Sequence, residues 1–257
     1  MSERRSKVIV VMPAYNAAAT VEKTVASIPP GSVDEIVLVD DASRDDTAAV
    51  ARRLGLTVVE HRENRGYGGN QKTCYAIALE KGADVVVMVH PDYQYDPRMI
   101  PSMVNFIELG VCDVVLGNRV RNRRYALGSG MPLYKYAANR VLTIVENFVL
   151  DLNLGECHSG LRAYSRRVLT TIPFSANSDD FVFDSQVIAQ CAYFGFNLGD
   201  VPVPCRYMPE TSQINFRRSM TYGLGTVWTL VRYVGQKLRL TDAPIFRAQA
   251  PRDAAPS

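Results

Sequence analysis

Val37-Leu38-Val39-Asp40-Asp41-Ala42-Ser43-Arg44-Asp45-Asp46 reads as an apolar strand that runs into two adjacent carboxylates and a Ser-x-Asp turn. Open α/β sheets bind ligands in the crevice outside the carboxyl ends of their strands. Paired acids at that point therefore predict a polar, nucleotide-like ligand. The same residues have a plainer use, because Asp40, Ser43 and Asp45 can cap the helix that follows.

Outward from this stretch, short apolar runs at 8–12, 35–39, 57–60 and 84–89 alternate with helical patterns near 18–28, 46–54 and 69–81. The alternation continues through a helix at 97–109 and a strand at 113–117, and predicts βα units feeding a mostly parallel sheet. The second half offers helices near 132–149, 166–172 and 183–194, then a proline-broken strand at 197–204. No Gly/Ser-rich linker divides the halves, so residues 7–215 are expected to form one domain, preceded by a flexible segment at 1–6. Over 216–240, Met220, Leu224, Val227, Trp228, Val231, Val234 and Leu238 recur at helical spacing with basic residues off the stripe. Such a basic amphipathic helix either packs its stripe on the body or lies on an anionic membrane surface. Residues 241–257, ending in an Ala/Pro-rich run, are expected to be a disordered tail.

Composition narrows the function. A formal charge of +3 over 257 residues excludes a general nucleic-acid binder and leaves electrostatics to local patches. The five cysteines are odd in number and lack Cys-x-x-Cys spacing, which argues against a disulfide framework or a zinc site and for a reducing cytoplasm. The polar start carries no secretory pattern, and no run of roughly 20 apolar residues spans a bilayer. The expected location is cytoplasmic, with peripheral contact at the inner face of the membrane.

Three loops converge at the carboxyl edge of the predicted sheet: Pro13-Ala14-Tyr15-Asn16, Asp40-Asp41, and His90-Pro91-Asp92-Tyr93-Gln94. A carboxylate beside a side-chain amide or imidazole suits a hard divalent ion that completes its shell with substrate phosphates. Asp92 is the best ligand of the set. His90 taken alone could equally be a structural histidine.

In this order and spacing, these loops together with Asn64-Arg65-Gly66-Tyr67-Gly68-Gly69-Asn70, Gly117-Asn118-Arg119 and Ser159-Gly160-Leu161-Arg162 resemble glycosyltransferase family 2. The resemblance covers about residues 7–215 and is to the branch of dolichyl-phosphate mannose synthases and related polyprenyl-phosphate sugar synthases. It implies a GT-A fold, Rossmann-like with helices on both faces, that binds a UDP- or GDP-sugar donor and inverts the anomeric carbon. It also implies donor contacts from Pro13, Tyr15, Asn16, Asp41, Ser43, Arg65 and Gly68, with Arg119 and Arg206 near the phosphates. Mg²⁺ or Mn²⁺ would be held by Asp92, Gln94 and His90, where His90 replaces the first acid of the family's Asp-x-Asp; imidazole suits Mn²⁺ better.

The acceptor decides the rest of the chemistry. A lipid phosphate is already anionic and requires no general base, whereas a saccharide hydroxyl needs a carboxylate within reach. Asp179, Asp180 and Asp184 are the candidate bases, with helix capping as the competing role for that cluster. A catalytically silent nucleotide-sugar binder is the reading that His90 would favour. A nucleotidyltransferase is disfavoured because Pro13-Ala14-Tyr15-Asn16-Ala17-Ala18, after the first strand, is not a glycine-rich phosphate loop.

Overall fold

The computed structural model describes residues 6–120, 122–128, 130–206 and 216–248. Residues 1–5, Arg121, Ser212-Gln213 and the final stretch 249–257 lie outside the described residues. Strands β1 (Val8–Ala14), β2 (Glu35–Asp40), β3 (Thr57–Glu60), β4 (Val85–Val89), β5 (Val114–Asn118), β6 (Leu161–Ser165) and β7 (Leu198–Pro202) form one sheet in the order β3-β2-β1-β4-β6-β5-β7. All neighbours are parallel except β6, which runs antiparallel between β4 and β5. The order reverses between β1 and β4, so a ligand crevice is expected at their carboxyl ends.

Strand alternation builds two cores. Ile9, Val11, Val37, Val39, Val86 and Met88 face one layer, while Val8, Val10, Met12, Leu38, Val85 and Val87 face the other. Both faces are apolar because helices cover both, as parallel sheets require. Helices α3 (Gly66–Glu80) and α8 (Phe183–Tyr193) close the first layer; α1 (Val21–Ala26), α2 (Thr47–Arg53) and α4 (Ile100–Glu108) close the second. The remaining helices are α5 (Arg123–Gly128), α6 (Leu133–Leu150), α7 (Arg166–Thr171) and α9 (Phe216–Lys237).

Strand β6 and helix α5 are absent from the sequence expectation. β6 escapes a search for apolar runs because Leu161-Arg162-Ala163-Tyr164 places a charged residue on a core-facing position. Arg162 is fully buried, donating through Nε to Ser159 O at 2.7 Å and pairing through Nη2 with Asp184 Oδ2 at 3.2 Å. Burial disfavours the guanidinium charge, but Asp184 and the surrounding tyrosines hold its pKa well above the ordinary value. Asp184 also accepts from Tyr67 at 2.8 Å and Gln71 at 3.1 Å, so one carboxylate joins β6, α3 and α8.

The glycines at the start of α3 serve this packing. A Cβ on Gly68 would lie 2.3 Å from Ser178 O and 2.8 Å from Phe183 Cβ. The Gly68 N–H donates to Asp179 O at 2.7 Å. The glycine run therefore lets the 178–180 segment sit against the helix, a packing use for Gly68.

Two expectations for the last part of the chain are corrected. The apolar stripe of α9 does not pack on the body: Trp228, Leu224 and Met220 are exposed, while Thr226, Thr229, Leu230 and Tyr233 are buried. Residues 241–248 are not a loose tail either. Ala243, Ile245 and Phe246 are buried, Gln190 Nε2 donates to Ile245 O at 2.8 Å, and Phe246 contacts the rings of Tyr193 and Tyr233.

Asp184→Asn leaves the buried Arg162 charge uncompensated and is expected to lower the unfolding free energy by about 3–5 kcal/mol in denaturant titrations. The exposed Asp180→Asn should stay within about 0.5 kcal/mol of the parent. Gly68→Ala is expected to destabilise by about 1–3 kcal/mol through overpacking. Gly128→Ala, where a Cβ meets nothing within 4 Å, should not destabilise.

Candidate functional site

The carboxyl ends of β1, β2 and β4 carry the strained backbone of the edge. Asn16, Ala42 and Tyr93 hold φ of 52°, 58° and 58° in the three loops that follow those strands. Left-handed residues other than glycine persist only where surrounding contacts fix them. Here the contacts are explicit. Asn16 N–H donates to Ser43 Oγ at 2.8 Å, Arg44 N–H donates to Asn16 Oδ1 at 2.8 Å, and Ser43 N–H and hydroxyl both donate to Asp40. Pro13 is the penultimate residue of β1 beside these loops, and Tyr15 stands out from them, 39 % exposed.

Asp41 has a different place from the one expected. Its carboxylate is buried and meets His61 Nδ1 at 2.7 Å, Arg65 N–H at 2.8 Å and Gly66 N–H at 3.0 Å. It thus anchors the start of α3 from the end of β2. Asp40 accepts from Ser43 within its own turn instead of capping α2, Asp41 is occupied at the start of α3, and the group beside them that faces outward is Tyr15. Arg65 lines a cavity of about 280 Å³ with Asn64, Lys72, Thr73 and Asp179.

After β4, the 90–94 loop folds on itself, with Gln94 N–H donating to Asp92 Oδ1 at 2.9 Å. Burial raises the Asp92 carboxyl above its ordinary pKa, an effect the neighbouring His90 partly offsets. Arg206 lies 4.5 Å over the Tyr93 ring, donates its N–H to Gln94 O at 2.8 Å and reaches Asp96 Oδ2 at 3.4 Å. The arginine expected near phosphates thus also braces the loop that carries Asp92.

The His90 ring is held by residues that sequence reasoning passed over. Its Nε2 lies 3.1 Å from the Tyr67 hydroxyl, which donates to Asp184 Oδ2. Burial, then the Asp184 charge, pushes the Tyr67 pKa well up, so this hydroxyl keeps its proton. With that proton directed to Asp184, the Tyr67 oxygen is left to accept from His90 Nε2–H, a tautomer that in the neutral ring puts the lone pair on Nδ1. Gly160 makes room for the ring, since a Cβ there would lie 2.6 Å from His90 Cδ2. The available signal was a tyrosine between glycines, Gly66-Tyr67-Gly68, and the Ser159-Gly160-Leu161-Arg162 run.

Among the described residues no group of three or more His, Cys, Asp or Glu is placed to hold a metal ion. The donor set is instead one carboxylate, Asp92, with the His90 lone pair and the Gln94 amide as neighbours in the loop. That fits a divalent ion that takes one or two protein ligands and most of its shell from substrate phosphates.

On the far side of the crevice Arg119 follows β5. Its Nε donates to the buried Glu156 at 2.6 Å, its N–H to the same carboxylate at 2.8 Å, and Nη2 to His158 O at 3.0 Å. Asn139 of α6 donates to Glu156 at 2.9 Å. Lys135, also on α6 and unremarked in the sequence, has its pKa lowered by burial and then by the Arg119 charge, which marks a cationic corner there.

The three candidate bases are not brought together as bases. Asp184 is locked to Arg162, Tyr67 and Gln71; Asp179 pairs with Lys72 Nζ at 2.8 Å; Asp180 is exposed and accepts from Phe181 N–H at 2.8 Å.

The chain is similar to several known proteins. The chain is 27 % identical over 203 residues to an uncharacterised protein of Methanocaldococcus jannaschii, covering 79 % of this chain and 83 % of that one. It is 25 % identical to a UDP-N-acetylglucosamine–dolichyl-phosphate N-acetylglucosaminyltransferase of Methanococcus voltae, covering 78 % and 86 %. A dolichyl-phosphate hexose transferase of Haloferax volcanii is 29 % identical over 77 % of this chain and 82 % of its own. The crystal structure of Mycobacterium tuberculosis glucosyl-3-phosphoglycerate synthase superposes with a TM-score of 0.68 at 22 % identity, over 90 % of this chain and 81 % of that one. The same enzyme in complex with Mn²⁺, UDP-glucose and phosphoglyceric acid superposes with a TM-score of 0.66. These likenesses fix the fold as GT-A, and with the profile of glycosyl transferase family 2 matching residues 9–172, the chain belongs to that family.

Proposed function

We propose that this glycosyltransferase moves a hexose from a UDP- or GDP-sugar to the phosphate of a polyprenyl phosphate, with inversion at the anomeric carbon, at the cytoplasmic face of a membrane. The observation that carries the choice of acceptor is that two of the three acids expected to serve as bases are engaged by cations, and the third, Asp180, is turned out to solvent. Asp184 is locked in a buried pair and Asp179 in an ion pair with Lys72. An acceptor that arrives as an anion needs no proton removed. Lys135 supplies positive charge that such a phosphate would meet. Relatives named for transfer to dolichyl phosphate and polyprenol support the same acceptor class.

In this reading Pro13, Tyr15 and Asn16 hold the nucleoside, with Tyr15 offering an open ring face, and Asp92 with His90 Nδ1 and Gln94 holds Mg²⁺ or Mn²⁺. The bound ion would offset charge building on the diphosphate as its bond to the sugar breaks. Arg119 stabilises the same charge from a fixed position, since Glu156 holds its guanidinium before substrate arrives. The acceptor phosphate attacks from the face opposite the leaving diphosphate. Ser43 and Arg65 shape the walls of the pocket.

Incubation with labelled nucleotide sugars, Mn²⁺ and a polyprenyl phosphate is expected to give an organic-extractable product from one donor. Asp92→Ala should reduce that product by about 100-fold or more, beyond the roughly 10- to 100-fold that loss of a supporting partner costs. Asp180→Asn should leave the rate within about twofold; loss of turnover there would assign a hydroxyl acceptor instead. Tyr67→Phe removes the group that sets the His90 tautomer. The Mn²⁺ concentration for half-maximal donor binding, read by calorimetry, should rise by about 10- to 100-fold.

A further inference from the structure

Arg119 is held by Glu156, and the residues immediately before these two meet on a third acid. Asn118, the last residue of β5, precedes Arg119; Gly155 precedes Glu156 in the loop between α6 and β6. Asp200 of β7 receives both, its Oδ2 accepting from Asn118 Nδ2 at 2.6 Å and from the Gly155 N–H at 3.0 Å. A carboxylate oxygen has two lone pairs, so these donors fill it. Register makes the meeting possible. Asp200 pairs with Leu116 in the β5–β7 ladder, and Asn118 lies two residues further along β5, on the same face of the sheet.

The fit around this oxygen is close. A Cβ on Gly155 would lie 2.1 Å from Asn118 Nδ2 and 2.8 Å from Asp200 Oδ2, so a side chain there would push the loop off the strand. Asn118 Oδ1 accepts from the Val120 N–H at 2.9 Å, which orients the amide so that Nδ2 faces Asp200. From the other side α6 grips the same loop, with Asn147 and Leu154 exchanging bonds of 2.8 and 3.0 Å and Arg140 donating to Gly155 O. Asp200 therefore ties the loop that carries Glu156 to the strand that leads to Arg119.

We propose that Asp200 is a positioning residue: it sets the register of the Arg119–Glu156 pair and, through it, the rate of sugar transfer. The inference rests on the reading given above, in which Arg119 meets the charge building on the leaving diphosphate. Preorganised charge works only where it already stands in place, and a displacement of about 1 Å costs on the order of 100-fold in rate. Both donors to Asp200 are neutral, so its role is one of geometry. An amide oxygen at the same place serves as well.

Asp200→Ala is assayed with UDP-glucose, UDP-N-acetylglucosamine or GDP-mannose as donor, Mn²⁺ and undecaprenyl phosphate. Its kcat is expected to fall about 10- to 100-fold with the donor KM within about threefold, the split of an interaction made in the transition state. Asp200→Asn, which keeps an acceptor oxygen, should return kcat to within about threefold of the parent. Gly155→Ala, which forces the same contact apart with Asp200 intact, should reproduce the loss. In an Arg119→Ala background, Asp200→Ala should cost no more than about twofold further, because residues that act as one unit are not additive. Without any substrate, the Arg119 Nε–H resonance of the isotope-labelled protein should shift in Asp200→Ala and return in Asp200→Asn. An unmoved resonance overturns the proposal. So does a loss that multiplies fully with Arg119→Ala, or one that Asp200→Asn does not relieve. An unchanged kcat in Asp200→Ala also overturns it, and Arg119→Ala then tells which premise failed: a loss of about 100-fold there leaves the reading of Arg119 standing, and an unchanged rate removes it. Where none of the donors gives product, the transfer reading fails by itself, and the resonance still decides whether Asp200 sets Arg119.

Discussion

The buried pair between Arg162 and Asp184 is the constraint on which the site is built. Two charges inside a core are costly unless each meets a partner and the remaining hydrogen-bonding capacity is filled. Here Asp184 accepts from Arg162, Tyr67 and Gln71, and Arg162 donates onward to Ser159 O and Cys157 O. The pair ties an antiparallel strand to the two helices that cover its face. It also reaches the crevice, because Tyr67 stands between Asp184 and His90. A core carboxylate and an edge histidine are therefore joined through one tyrosine hydroxyl.

The same logic explains why the acids that look most chemical do the least chemistry in the proposed mechanism. Asp40 and Asp41 close the turns after β2, and Asp41 anchors α3 through two backbone N–H groups. A helix start leaves N–H groups without intrahelical partners, and a carboxylate at that end also meets a favourable dipole. The crevice is thus walled by satisfied acids and left open on the side of Tyr15, Asp92 and Arg119. The three positive-φ residues sit in the same loops, where dense hydrogen bonding holds a conformation that the chain would not adopt alone.

Much of the fold was readable in the one-dimensional pattern. Strands buried on both faces give unbroken apolar runs, as in Val85–Val89, and helices between them give the alternation of a parallel sheet. β6 was not readable, because its core-facing arginine is tolerated only by a carboxylate 22 residues away. The start of α3 was hidden by glycines whose purpose is the approach of Ser178 and Asp179, a contact between segments more than a hundred residues apart. The stripe of α9 was visible, but periodicity says only that one face differs from the other.

By itself the sequence determined the sheet, its functional edge and the residue types gathered there, since these follow from local periodicity and from where strands end. The family resemblance added the GT-A fold on motifs that survive in order. Only the tertiary structure decided that Asp41 and Asp184 are buried in hydrogen-bond networks, that Tyr67 bonds His90, and that α9 turns its apolar side outward. Each of those outcomes depends on which partner occupies the space opposite a side chain, and in a folded chain that partner comes from a distant segment whose position no local pattern records.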